Sequence, residues 1–133
     1  SGFLVSRVNY TKQSGSKKII LLDSSMSEYI RSTLYGIEPI VELLQTDNDE
    51  EMFEYDIAGG VCESSDFFIR NVLLPKITEN DFLVFKNVGA YGSSMSSTYN
   101  SRPKPLEILF NKNEHRVIRS RDTLEDLCKN EIM

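Results

Sequence analysis

Short β-type runs follow one another along this chain with little between them but turn residues. Residues 3–10, FLVSRVNY, and 17–22, KKIILL, are separated only by TKQSGS, turn material that contains a glycine. IEPIVELL at 37–44 reads as a strand whose Pro39 assigns it to a sheet edge or to the strand's start, because proline cannot donate to a ladder. TDNDEE at 46–51 is a solvated turn. MFEYDIAG then alternates Phe53, Tyr55 and Ile57 with Met52, Glu54 and Asp56, the pattern of a half-buried strand. FFIRNVLL is a short apolar segment halted by Pro75, and DFLVFKNV at 81–88 is another strand. LEILF and RVI flank NKNEH as a hairpin, with His115 a solvated turn residue.

Helical signals are few. Ser25 followed by Glu28 fits a capping box, Met26, Tyr29, Ile30 and Leu34 recur at helical spacing, and Gly36 is a plausible stop. RDTLEDLC reads as a closing helix capped by Asp122. The total is about six or seven strands with two or three short helices, in runs and not in β–α alternation. That pattern predicts a mainly β or α+β domain and disfavours a doubly wound sheet. At 133 residues the chain is expected to form one domain, 1–133.

Charge narrows the functions. The net charge of −5 and the scattered Lys and Arg residues argue against nucleic acid or an anionic membrane as a partner. No apolar stretch approaches the roughly 18 residues of a membrane span. Two cysteines, Cys62 and Cys128, make no disulfide framework, and the start lacks a secretory pattern, so a reducing, cytoplasmic location is expected. The cysteines and the single histidine have no ligand spacing, so no metal site is expected.

Three segments combine permissive backbone with reactive side chains. In GGVCESSD at 59–66, Cys62 stands beside Glu63 in a loop. It is either a packed thiol next to a surface acid or a reactive one. Ser64, Ser65 and Asp66 would cap a following helix, whose positive end would favour thiolate. In GAYG at 89–92, within the Gly/Ser-rich loop GAYGSSMSSTYN, Tyr91 is hemmed in by small residues, either as a packed aromatic or as a hydroxyl free to reach a ligand. Arg31 and Tyr35 sit at i and i+4 of one helical face, where a plain surface pair is the commoner meaning.

The ordered strings CESSDFF, VLLP, ENDFLVFKNVGAYGSSMSSTYNSRPKPLEILF, DSSMSEYIRSTLYG and IRSRDTLEDL together resemble the C-terminal β-domain of the diaminopimelate decarboxylases, pyridoxal-phosphate enzymes of the alanine-racemase fold type. The resemblance runs from about residue 2 to residue 130. It implies an antiparallel, Greek-key-like β-sandwich or barrel. It implies an active site shared across a homodimer, with the Cys–Glu pair supplied by the partner subunit. Cys62 matches the proton donor to the substrate's α-carbon after CO2 leaves, and Glu63 the residue that recognises the distal ammonium. Arg31 and Tyr35 match contacts to the distal carboxylate, for which a guanidinium fork is suited. Tyr91 matches a residue touching both the pyridoxal 5'-phosphate and the amino-acid substrate.

Gly60 departs from a common proline, Ser32 from another, and Ile37-Glu38 from an aromatic–His pair. The family's N-terminal barrel, with its Schiff-base lysine, has no counterpart in these residues. The chain is therefore expected to be the C-terminal domain of a larger or split enzyme, inactive alone and needing a barrel in cis or trans. Related decarboxylases of ornithine, arginine or carboxynorspermidine, and a noncatalytic regulatory β-domain, are the alternatives. Glu63 with the Arg31/Tyr35 pair favours a diamino diacid over a diamine.

Overall fold

The computed structural model describes residues 2–45 and 51–132, so the expected turn at 46–51 lies almost wholly outside the described residues. Eight strands are found among them: β1 (Phe3–Ser14), β2 (Lys17–Leu22), β3 (Val41–Leu43), β4 (Phe53–Ala58), β5 (Phe67–Leu74), β6 (Phe82–Lys86), β7 (Glu107–Asn111) and β8 (Glu114–Arg119). Three helices join them, α1 (Arg31–Tyr35), α2 (Gly89–Ser94) and α3 (Leu124–Cys128), with a 3-10 turn at Tyr99–Ser101. Six strands make one sheet in the order β3-β6-β1-β2-β4-β5, and β7 pairs only with β8. The larger sheet curls into a nearly closed barrel, in line with the mainly β expectation. All pairings are antiparallel except β2 with β4.

Side-chain alternation explains where the core lies. Ser6 and Val8 of β1, Ile20 and Leu22 of β2, Ile57 of β4, and Leu83 and Phe85 of β6 all point into one interior. Phe68 bridges that interior, stacking with Tyr29 at 6.4 Å and tilting against Phe85 at 4.8 Å between ring centroids. β3 is an edge strand, as Pro39 requires, although only three of the residues expected in it keep strand geometry.

β4 is buried on both faces along its second half, which corrects the half-buried reading. Asp56 points to the face expected to be solvated, yet it is 4% exposed. Its carboxylate accepts the Asn71 amide N–H at 2.9 Å and pairs with Lys17 at 3.3 Å and Arg70 at 3.4 Å. Asn71 has φ of 54° at a shift of register between β4 and β5, so Asp56 satisfies an amide that the ladder cannot. Burial pushes the Asp56 carboxyl up, but the Asn71 amide, Lys17 and Arg70 outweigh it and hold it below its ordinary value.

Two helix expectations are corrected. The segment from Ser25 does not coil into a helix; it forms turns, and α1 begins only at Arg31. The reason is local competition for backbone groups. Ser24 and Ser6 hydroxyls bond at 2.7 Å, Ser25 and Ser27 at 2.6 Å, and the Ser25 amide donates to Glu28 at 2.6 Å. Glu28 thus performs its half of a capping box on a turn. Gly36 does end α1, with φ of 63° in the left-handed region. In α3 the cap is Thr123, whose hydroxyl accepts the Asp126 amide; Asp122 instead accepts the Lys104 N–H.

Within α1, the Ser32 hydroxyl is buried and has no hydrogen-bond partner among the described residues. Ser32→Ala removes that unmatched group and is expected to stabilise the fold by about 1 kcal/mol. Denaturant titration checks this; a midpoint that falls would mean the hydroxyl has a partner in solution.

Candidate functional site

The loop between β4 and β5 carries Cys62 and Glu63, and its shape is set by Asp66. That carboxylate is 3% exposed and accepts the Val61 N–H at 2.9 Å and the Met26 N–H at 2.7 Å. It therefore ties the Cys62–Glu63 loop to the serine-rich turns before α1. Gly59 lies against it so closely that a β-carbon there would sit 2.3 Å from a carboxylate oxygen, so glycine is required. Gly60 donates its N–H to the Ser24 carbonyl at 3.1 Å, a bond that a proline at this position would lack. Thr33 of α1 bonds the Ser65 carbonyl at 3.0 Å from the other side.

No helix follows the loop. Residues 67–74 are strand β5, so the expected helix-end potential on Cys62 is absent, and Ser64, Ser65 and Asp66 cap nothing helical. Phe67 and Phe68 are aromatic neighbours suited to a pleated, half-buried surface, and Asp66 is already committed to two amides outside any helix. Cys62 is nonetheless exposed and not packed in the core. The Asn100 side-chain amide donates to its sulfur at 3.6 Å, and the Tyr99 hydroxyl donates to the Glu63 carboxylate. That bond, slight desolvation and the Glu63 and Cys62 charges raise the Tyr99 phenol above its ordinary value.

The other expected residues form a second group. Residues 89–94, expected as loop, form α2, with Gly92 packed so tightly on Val88 that a β-carbon would meet its methyl at 2.3 Å. Tyr91 projects from α2, 59% exposed. The Arg31 guanidinium lies 5.6 Å from the Tyr91 ring centroid, joining α1 to α2 by a cation–π contact. Tyr35 is exposed one turn further along α1. Among the described residues, Cys62 and Glu63 share no hydrogen bond with Arg31, Tyr35 or Tyr91. The described contacts make two clusters: Cys62 and Glu63 with Asn100 and Tyr99, and Arg31 with Tyr91.

Residues 1–89 match the family model described as the C-terminal sheet domain of the pyridoxal-dependent decarboxylases. The chain belongs to that family. Diaminopimelate decarboxylase of Helicobacter pylori is 41% identical over 129 residues, covering 97% of this chain and 32% of the relative. Among solved structures, a diaminopimelate decarboxylase from M. jannaschii superposes with a TM-score of 0.93 at 34% identity, over 98% of this chain and 30% of the other. The Helicobacter pylori enzyme complexed with L-lysine gives 0.88 at 38% identity, over 97% and 31%. The chain thus spans about a third of the length of the curated relatives it matches. Among the described residues no helix is long and apolar enough to cross a membrane, and no three acidic, His or Cys side chains are grouped to hold a metal.

Sequence reasoning singled out Cys62, Glu63, Arg31, Tyr35 and Tyr91 but gave no site role to Tyr99, Asn100, Arg102 or, beyond a helix cap, Asp66. The first three lie together in YNSR, where an Asn able to adopt a left-handed backbone beside an aromatic was the available signal. Asp66 was noticed as a cap; only the fold reveals which amides it serves.

Proposed function

We propose that residues 1–133 are the C-terminal domain of a diaminopimelate decarboxylase. The complete protein removes CO2 from meso-2,6-diaminopimelate to give L-lysine, for lysine biosynthesis in the cytoplasm. The carrying observation is the exposed Cys62–Glu63 pair, displayed by a family domain whose relatives at about 40% identity are diaminopimelate decarboxylases. The remaining two thirds is an N-terminal barrel, joined in cis or supplied in trans.

A homodimer fits the lack, among the described residues, of any hydrogen bond from Cys62 or Glu63 to Arg31, Tyr35 or Tyr91. Cys62 and Glu63 serve one active site, while Arg31, Tyr35 and Tyr91 serve the site of the other copy, so the clusters need not touch within one chain. When bound, pyridoxal phosphate draws electrons from the substrate's α-carbon so that CO2 can leave. Among the described residues Tyr91 would be the contact to it: its phenol is exposed, a peripheral donor and no substitute for a lysine anchor. Cys62 holds the proton that the α-carbon receives. Glu63 accepts hydrogen bonds from the distal ammonium, and Arg31 and Tyr35 fix the distal carboxylate, so a substrate ionised at both ends is selected.

Lysine formation from meso-diaminopimelate by the complete, cofactor-loaded protein tests the reading, with ornithine and arginine as competing substrates. Preferential turnover of either diamine precursor would replace it. Glu63→Gln removes the charge facing the ammonium and is expected to raise KM by about 2 kcal/mol, roughly 30-fold, with kcat less affected. An unchanged KM would count against this contact.

A further inference from the structure

We propose that Tyr99 and Asn100 form a positioning turn for the Cys62–Glu63 pair, with the Asn100 amide holding the sulfur and the Tyr99 hydroxyl holding the carboxylate. Two consecutive side chains engage two consecutive partners across the fold, Tyr99 on Glu63 and Asn100 on Cys62. That match requires an unusual backbone. Asn100 has φ of 61° and Ser101 φ of 56°, left-handed values that asparagine tolerates better than most residues and that serine rarely adopts.

The turn is also anchored from behind. Arg102 donates its own amide to the Tyr99 carbonyl at 3.4 Å, and its guanidinium bonds Glu28 at 3.2 Å and the Asp23 carbonyl. Glu28 is itself fixed by the Ser25 amide and hydroxyl. A strained turn braced by an ion pair with a carboxylate of 9% exposure is a rigid support, not a loose loop. Among the described residues neither Tyr99 nor Asn100 hydrogen-bonds to Arg31 or Tyr91, so their effect is expected at the thiol and the acid.

The Asn100 amide holds the exposed Cys62 side chain in one orientation, so that its sulfur is presented to whatever enters beside the loop. A phenol on Glu63 fixes the carboxylate's orientation without neutralising it, leaving further lone pairs for an incoming ammonium. The inference rests on the proposed role of the pair, but its test does not need turnover.

The test is peptide-resolved alkylation of Cys62 by iodoacetamide at neutral pH in the complete protein. Asn100→Gly keeps the left-handed backbone available while deleting the amide. It is expected to slow alkylation about threefold, and Asn100→Asp, which sets a carboxylate beside the sulfur, further. A rate in Asn100→Gly equal to or above the parent's would overturn the donor role and leave Asn100 a backbone residue only. For Tyr99→Phe, KM for the amino-acid substrate is expected to rise about fivefold at near-parent kcat; an unchanged KM overturns that half. Slowed alkylation in a protein with no decarboxylase activity would remove the functional reading and keep the turn. Unaltered alkylation in an active enzyme would do the reverse.

Discussion

Replacing Cys62 by alanine in the complete protein is expected to lower kcat for decarboxylation by about 100-fold or more, the range in which a positioned general acid contributes. Cofactor absorbance and substrate KM should stay near those of the parent, because in the proposed mechanism the thiol delivers a proton and neither binds the ring nor pairs with an ionised end of the substrate. The structure makes this substitution informative. Cys62 is exposed, and among the described residues its one hydrogen bond is from the Asn100 side chain, which can turn to water. Loss of the thiol should therefore move stability by no more than about 0.5 kcal/mol, so a fall in rate cannot be assigned to unfolding. Turnover within a few-fold of the parent would take Cys62 out of the mechanism.

The largest expected effect on stability is at Asp66. Asp66→Ala strands the Val61 and Met26 amides, which face a buried side chain at 2.9 and 2.7 Å and have no other acceptor among the described residues. Each unmatched donor costs about 1–3 kcal/mol. The pair should cost about 3 kcal/mol after partial entry of water, or about 10 °C in Tm for a chain of this size. Asp66→Asn keeps one acceptor oxygen and should lose about half as much. Thermal unfolding of both variants checks the order; equal stability of all three proteins would mean that the loop is not tied through this carboxylate.

The same residue gives a pH dependence. Burial raises the Asp66 carboxyl, the Val61 and Met26 amides pull it back, and the nearby Glu28 charge pushes it up again against Arg102, leaving it above its ordinary value. Between the unfolded and folded values the native state holds a proton that the unfolded chain has released. Unfolding free energy therefore falls as pH rises through that window. The gap between parent and Asp66→Ala should widen as pH is lowered from neutral into the ordinary carboxylate range. Asp56 acts in the opposite sense: held below its ordinary value, it contributes stability above the unfolded value and loses it as pH falls through the folded one.

Strand positions were largely legible. KKIILL became β2 at the expected boundaries, and Pro39 did fall beside an edge strand. The expected hairpin became β7 and β8, but its turn is only Lys112 and Asn113, and His115 lies in β8, paired with Phe110, not in the turn. Those signals are local, since periodicity and proline act within a few residues. What failed depended on distant partners. The Ser25 segment has a helical apolar spacing, but its hydroxyls found Ser6 and one another, and the Met26 amide found Asp66. Asp56 looked solvated because the alternation of β4 says nothing of Lys17, Arg70 or the bulge at Asn71. At the candidate site, Cys62 and Glu63 were visible as an odd pairing in a loop, whereas their supports, Tyr99 and Asn100, lie more than thirty positions away.

The strand order also bears on how the chain reaches its shape. β1 and β2 can zip together at once, but the other flank of β1, Phe3 to Arg7, waits for Phe82 to Lys86. During synthesis the first strand must leave one row of its amides unclaimed until most of the domain has been made. Pairing of β1 with β6 is thus a late, entropically slow event, and the nascent hairpin offers a sticky margin to neighbouring chains for as long as that delay lasts.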